Sequence, residues 1–237
     1  MSQLLHLSDL HGNKPWFDWV AKQARATGCA VAISGDLVDA DAHQGSSALK
    51  RQIDWISAWV RAADFPLFLC SGNHDIVLDD NADWLRALAR PGVTVDGGIG
   101  VFGDRSITCL PWGSEAQAFL RTEVLQADIW LHHAPPTECG LGRSDYGGQS
   151  MDFGSEDLFA ALSPAWGART QLVLSGHVHT ATKWQAKCGR ILCLNAAGDN
   201  PKAPLPKHVL IDLAASTAIL RNGQTVELVR LPEWTLG

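Results

Sequence analysis

Leu67-Phe68-Leu69-Cys70-Ser71-Gly72-Asn73-His74-Asp75 is the stretch that decides how the rest of the chain is read. An apolar run that breaks at Gly-Asn-His-Asp reads as a buried strand delivering an amide, an imidazole and a carboxylate into one loop. Loops at strand ends are where chemistry sits. Asparagine is an unusual metal ligand and histidine an ordinary one, so the run is informative only if other ligands accompany it.

Working outward, four more apolar runs end in the same way. Leu4 to Leu7 stops at Ser8-Asp9-Leu10-His11-Gly12-Asn13, and Cys29 to Ile33 at Ser34-Gly35-Asp36-Leu37-Val38-Asp39. Asp128 to Leu131 stops at His132-His133-Ala134-Pro135-Pro136, and Gln171 to Leu174 at Ser175-Gly176-His177-Val178-His179. The carboxyl ends of strands in an open α/β sheet converge on one crevice, so clusters far apart in sequence meet in space. Asp-x-His and His-x-His place side chains two residues apart, which in extended backbone point the same way. Taken singly, Asp9 or Asp36 reads as a helix cap or turn residue. Five such clusters at five strand ends do not. Together they offer carboxylates, imidazoles and one amide, a set suited to Mn, Fe, Zn or Ni rather than Ca or Mg alone. The donors exceed what one ion needs, which points to two ions about 3.5–4 Å apart.

Between the clusters, Trp16 to Ala26 carries Trp16, Trp19, Val20 and Ala24 at helical spacing, with Gly28 as a stop. A longer helix is expected around the stripe Leu49, Ile53, Ile56 and Val60, and shorter ones at Ala82 to Ala89, Glu115 to Arg121 and Ser155 to Leu162. Short strands at Val93 to Val95, Ile99 to Phe102 and Ser106 to Leu110 follow one another, so parallel βαβ units give way to mixed sheet. Thr137 to Gly154, rich in Gly, Ser and Asp, reads as an irregular functional loop whose Arg143 and Tyr146 are candidate substrate contacts. Thr182 to Val229, with turns such as Asn222-Gly223, reads as a meander that completes a second sheet. No repeat or linker divides the chain, so one α/β domain over residues 1–237 is expected.

Hydrophobic residues make up 46% and charged residues 19% of the 237, enough apolar side chain for a sizeable core. The net charge of −6 argues against a dedicated electrostatic nucleic-acid binder. Cys29, Cys70, Cys109, Cys139, Cys188 and Cys193 are scattered without a CxxC pair and read as reduced structural residues. The N-terminal stretch lacks a basic start followed by an apolar core, and no apolar span near 18 residues occurs, so a soluble cytoplasmic protein without membrane contact is expected. Trp16, Trp19, Trp55, Trp59 and Trp84 are expected to cap helical faces, with a base-stacking surface as second choice. His6, His43 and His208 fall outside the clusters and are assigned to packing or solvent.

The order Asp-x-His, Gly-Asp-x-x-Asp, Gly-Asn-His-Asp, His-x-Pro-Pro, Gly-His-x-His resembles the calcineurin-like metallophosphoesterases, with all five blocks in order from Asp9 to His179. The resemblance implies a four-layer αββα sandwich of two mixed sheets flanked by helices. It implies that Asp9, His11 and His179 hold one ion, that Asn73, His133 and His177 hold the other, and that Asp36 bridges both. His133 fits the register of the fourth block, with His132 as the fallback. His74 falls where the family places a non-ligand histidine near the leaving group, and an imidazole can donate a proton to a departing alkoxide. Asp75 is then expected to orient His74, while Gly35, Gly72 and Gly176 serve tight turns or close backbone approach.

The expected reaction is hydrolysis of a small phosphodiester or phosphomonoester by a hydroxide shared between two divalent cations, Mn first, with Fe, Zn or Ni as alternatives. Asp39 is followed by Ala40, where the protein Ser/Thr phosphatase branch has a phosphate-gripping Arg, which disfavours phosphoprotein substrates. The competing readings are a metal-dependent nuclease, disfavoured by the acidic balance, and a catalytically silent scaffold, disfavoured by the presence of every ligand and of His74.

Overall fold

The structure is a computed structural model that describes residues 2–39, 47–77, 81–114, 116–163, 165, 167–198, 200 and 202–233. Its first sheet begins with β1 (Gln3–Leu7), β2 (Ala30–Ser34), β3 (Leu67–Cys70) and β4 (Val93–Thr94), which pair in parallel. The helices α1 (Lys14–Thr27) and α2 (Ser47–Ala62) lie between β1, β2 and β3 in the chain. Pro15 sits in the first turn of α1, where its missing N–H is harmless, and Gly28 ends the helix in the left-handed region at φ 66°. A short α3 (Asp83–Arg86) follows β3.

The second sheet has β6 (Arg105–Leu110), β7 (Ile129–His132), β10 (Leu172–Ser175) and β12 (Ile191–Asn195) in parallel, with β5 (Ile99–Phe102) and β11 (Gln185–Cys188) as antiparallel edges. Three short helices, α4 (Ala116–Phe119), α5 (Thr122–Leu125) and α6 (Glu156–Ala161), belong to this half. The helix expected at Glu115 to Arg121 is the shorter α4, and α5, which Arg121 precedes as an extended residue, was not expected.

Strand alternation sorts the core into three layers. Leu5 and Leu7, Val31 and Ile33, and Leu67 and Leu69 pack against α1 and α2. Their neighbours Leu4, Ala30, Ala32 and Phe68 face the other way, onto Ile107, Ile129, Leu131, Leu172 and Leu174 of the second sheet. Trp130, Val173 and Cys193 point outward from that sheet to Phe119, Val124 and Leu158 of the short helices. The result is helix, sheet, sheet, helix, with both faces of each central strand buried. Each fully buried aliphatic side chain contributes about 1.5–3 kcal/mol. Trp16 is buried in the first layer, and Trp19, Trp55, Trp59 and Trp84 pack partly buried against it, as capping residues would.

Two expectations about the later chain need correction. The strands after Thr182 do not all complete the second sheet. β11 and β12 join it, but β13 (His208–Asp212), β14 (Thr217–Asn222) and β15 (Thr225–Arg230) return to the first sheet, where β13 pairs antiparallel with β1. Thr137 to Gly154 is not wholly irregular either, because it carries the hairpin of β8 (Arg143–Tyr146) and β9 (Gln149–Asp152). Its turn, Gly147-Gly148, has φ of 60° and 82°, the left-handed pair that matches strand twist. Every residue of β9 is exposed, so no apolar alternation marked it. Among the described residues, no helix is long and apolar enough to cross a membrane.

Candidate metal centre

The five polar clusters follow β1, β2, β3, β7 and β10, and the loops lock onto one another through their backbones. Asp9 N–H donates to Gly35 O at 3.1 Å, His11 N–H to Asp36 O at 2.9 Å, and Gly12 N–H to Leu37 O at 2.7 Å. Asp9, His11, Asp36 and His177 all have positive φ, at 57°, 41°, 54° and 67°. Asp and His accept this region better than most side chains, yet each such residue still costs about 1–3 kcal/mol and persists only where its surroundings over-determine it. Three glycines supply that constraint. A Cβ on Gly35 would lie 2.5 Å from His133 Nδ1, one on Gly72 2.2 Å from Asp36 Oδ1, and one on Gly176 2.5 Å from Asp9 Oδ2.

Asp9 and Asp36 are the buried carboxylates of the site. Asp9 Oδ1 lies 2.9 Å from His179 Nε2 and 3.9 Å from His11 Nε2. Asp36 Oδ2 lies 3.3 Å from His133 Nε2, 3.9 Å from His11 Nε2 and 3.9 Å from His74 Nε2. Donor atoms of Asp9, His11 and His179, of His11, Asp36 and His74, and of Asp9, Asp36 and His133 each fall within 4.8 Å of one another. Asn73 Oδ1 sits 3.1 Å from His133 Nε2. The His177 ring is 5.0 Å from that of His133, and its backbone N–H donates to Asp9 Oδ2 at 3.1 Å. All nine residues singled out in the sequence therefore gather in or directly against one cluster.

The donor arrangement itself fits a cation. His133 Nδ1 is 2.7 Å from Ser34 O, a carbonyl that can only accept, so Nδ1 carries the proton and the Nε2 lone pair faces inward. That nitrogen meets two more acceptors, Asn73 Oδ1 and Asp36 Oδ2, and a positive charge there, a ring proton or a bound cation, satisfies both. Burial alone would lower the His133 pKa, but Asp36 and then Asp9 outweigh it and hold the ring up at about 9. Without another cation the ring recruits a proton. His177 behaves oppositely, since burial and then the neighbouring His133 push it down to about 4. Burial opposes ionisation of Asp9 and Asp36, yet the hydrogen bond from His179 to Asp9 and the charge of His133 beside Asp36 keep both below the usual carboxylate range.

His133, not His132, turns toward Asp36. His132 packs against Phe119 with ring centroids 5.5 Å apart, and its Nδ1 donates to Ala134 O at 2.8 Å. Asp75 differs from expectation. Its carboxylate accepts from the backbone N–H groups of Leu37, Val38 and Gly72 at 2.9, 3.1 and 2.8 Å, so it ties the second loop to the third and steadies the loop bearing His74 rather than the His74 ring. Burial and then Asp36 raise its pKa to about 8.

Several participants carried no signal in the sequence. Gln52 of α2 accepts from Asp39 N–H at 2.7 Å and so buttresses the second loop from within a helix. Asn195, at the end of β12, donates to Val178 O at 3.1 Å and holds the fifth cluster. β6 ends at the site as a sixth strand, delivering Trp112 beside His133 and His177; the run of apolar residues before Pro111 was the available clue. The β8–β9 hairpin is anchored next to His179 by a hydrogen bond between the Ser144 and Thr180 hydroxyls. Arg143 is exposed on that hairpin. The side chain of Tyr146, and Ala40 and His43, lie outside the described residues. His6 is buried against Ser34 and His208 against Trp19, both as packing residues.

Asp96 supports the third loop from behind, its Oδ1 accepting from Ser71 N–H at 2.8 Å while its Oδ2 is buried without a hydrogen bond. Burial raises its pKa from 3.8 to about 6. A carboxyl with a raised folded-state pKa contributes its full stability below the unfolded value and loses it as pH rises. Asp96→Asn is accordingly expected to match wild type near pH 4 and to exceed it at pH 8, by at most about 3 kcal/mol. Denaturant unfolding at the two pH values checks this, and equal midpoint shifts at both would contradict it.

Taken together, the buried paired carboxylates and the inward imidazoles bring together donor groups that could hold metal ions. The profile of the family described as "Calcineurin-like phosphoesterase" matches residues 2–181, and the chain belongs to that family. It is a hydrolase of phosphate esters that depends on divalent metal. The protein TT1561 of Thermus thermophilus is similar in structure, with a TM-score of 0.64 at 16% identity, covering 97% of this chain and 98% of that one. A structure described as a novel archaeal phosphodiesterase is also similar, with a TM-score of 0.50 at 12% identity over 97% of this chain and 99% of that one. At these identities the likeness concerns the fold. No curated protein matches the chain.

Proposed function

We propose that this chain is a single-domain phosphoesterase acting on small phosphodiesters or phosphomonoesters through two cations, with Mn the first choice and Fe, Zn or Ni as alternatives. Asp9, His11 and His179 would hold one ion, Asn73, His133 and His177 the other, and Asp36 would be shared. The observation that carries this reading is the position of Asp36 Oδ2, 3.3 Å from His133 on one side and 3.9 Å from His11 on the other. When bound, such cations supply Lewis acidity and lower the pKa of a coordinated water.

The remaining work falls to the protein. His74 is placed by its backbone N–H, which donates to Asp36 Oδ1 at 2.9 Å, and its ring lies edge-on to His11 at 4.7 Å. From there it donates a proton to the leaving oxygen. The buried Asp75 and the glycine contacts keep the loops from relaxing, so that the donors are aimed before substrate arrives.

The test separates ligands from the proton donor. Protein reconstituted with Mn²⁺ should hold about two ions per chain and lose hydrolysis on chelation. His74→Ala should keep both ions and lose about 10²–10⁴-fold in kcat. One ion per chain, or loss of an ion in His74→Ala, would overturn the assigned roles.

A further inference from the structure

One aromatic ring at the centre has no part in the reaction just described. Trp112 follows β6, its backbone N–H donates to Ser71 Oγ at 3.0 Å, and its ring lies 5.4 Å from His133 and 5.1 Å from His177. The indole N–H groups of Trp16, Trp59, Trp84, Trp130 and Trp184 are each bonded to another part of the fold. Those of half-buried Trp19, Trp55 and Trp112 make no hydrogen bond among the described residues, and of these three Trp112 is the one beside the clustered histidines. The ring is held at its backbone end and bordered by two histidines.

A cavity of about 420 Å³ opens over the Asp9, His11 and His179 side of the centre, with His74, Asp39, Leu10 and Trp16 also in its wall. Among the described residues lining it, none is Lys or Arg. It offers an organic group shelter next to the proton donor, and its side chains add no positive charge beyond that of the cations the centre would hold. The indole on the His133 and His177 flank supplies a second organic surface. Two such surfaces on either side of one phosphorus suit a substrate with two organic arms.

We propose that Trp112 is a specificity-determining residue for phosphodiesters: its indole packs against a flat aromatic group, aryl or nucleobase, on the arm that stays on phosphorus, while the leaving alcohol occupies the cavity beside His74. This rests on the phosphoesterase reading above and narrows its substrate class. Water loses one proton to solvent as its oxygen adds to phosphorus, the P–O bond to the leaving arm breaks, the departing oxygen takes the proton of His74, and His74 regains a proton from solvent. The aromatic arm remains in the monoester product.

Bis(p-nitrophenyl) phosphate and methyl p-nitrophenyl phosphate test it, because they share a leaving group and differ in the retained arm. With Mn²⁺ loaded, Trp112→Ala should cut the aryl-over-methyl ratio of kcat/KM about tenfold, mainly through KM, as loss of one stacking partner implies. Trp112→Phe should keep most of the ratio, and metal content should stay at the wild-type level in both. Calorimetric binding of phenylphosphonate against methylphosphonate should lose the same preference in Trp112→Ala, without turnover. An unchanged ratio overturns the proposal. Equal losses on both esters with falling metal content also overturn it, because Trp112 then merely props His133 and His177. Wild-type protein that holds two ions but hydrolyses neither ester would instead remove the phosphoesterase reading, and this inference with it.

Discussion

Asp36→Asn is expected to lower kcat/KM by about a thousandfold on any phosphate ester the protein hydrolyses, the scale on which removing a key electrostatic group acts. The carboxylate serves two flanks at once, with Oδ2 between His133 and His11 and Oδ1 accepting from His74 N–H. An amide can keep the Oδ1 bond and the shape. It cannot carry the charge that two cations would share, so metal content should fall below two per chain while the metal-free protein still folds. Metal analysis beside steady-state rates makes the result readable: near wild-type activity with two ions retained would show that Asp36 is not the shared ligand.

Gly35→Ala should be the most damaging of the small substitutions. Gly35 has φ of 87°, and an added Cβ would meet His133 Nδ1 at 2.5 Å and Gly72 Cα at 2.8 Å. Left-handed backbone costs a side-chain-bearing residue about 1–2 kcal/mol, and forcing atoms into a packed site about 1–3 kcal/mol more. The melting temperature should drop by about 5–15 °C, and the His133 ring, pushed off Ser34 O, should lose its aim and the activity with it. Gly92→Ala is the matched control. Gly92 has φ of 83° with nothing within 4 Å, so it carries only the backbone penalty. Calorimetry on the two variants should separate them by several degrees, and equal shifts would remove the steric argument.

Much of this site was legible because buried parallel strands are short, continuous apolar runs that end abruptly. β2, β3 and β10 are buried at every position, so their ends could be read from hydrophobicity alone. The ligands at those ends then announced themselves by chemistry. What was not legible depended on partners distant in the chain. Whether β13 joins β12 or β1 is decided by which sheet edge is open, and both strands look alike locally. In the hairpin, β9 hid because exposure on both faces erases alternation, and β8 because the residue it buries, Ser144, is polar. Asp75 stands beside His74 in sequence, but a short 3₁₀ turn at Asn73–Asp75 swings its carboxylate back onto the amides of Leu37 and Val38. Trp112 bears no charge and no ligand atom, so its place after the apolar end of β6 was the one clue to it.

The return of β13 to β1 pairs Gln3 with Asp212 and His6 with Val209, so β1 sits inside the sheet rather than at its rim. The strand that aims Asp9 and His11 is therefore flanked on one side by β2, its near neighbour in the chain, and on the other by β13, which follows every ligand-bearing loop. A nascent chain that has already extruded all five ligand-bearing loops still lacks the brace on its first strand. Such long-range closure slows folding, and it ties the maturation of the hydrolytic pocket to the emergence of a segment that contributes no ligand to it.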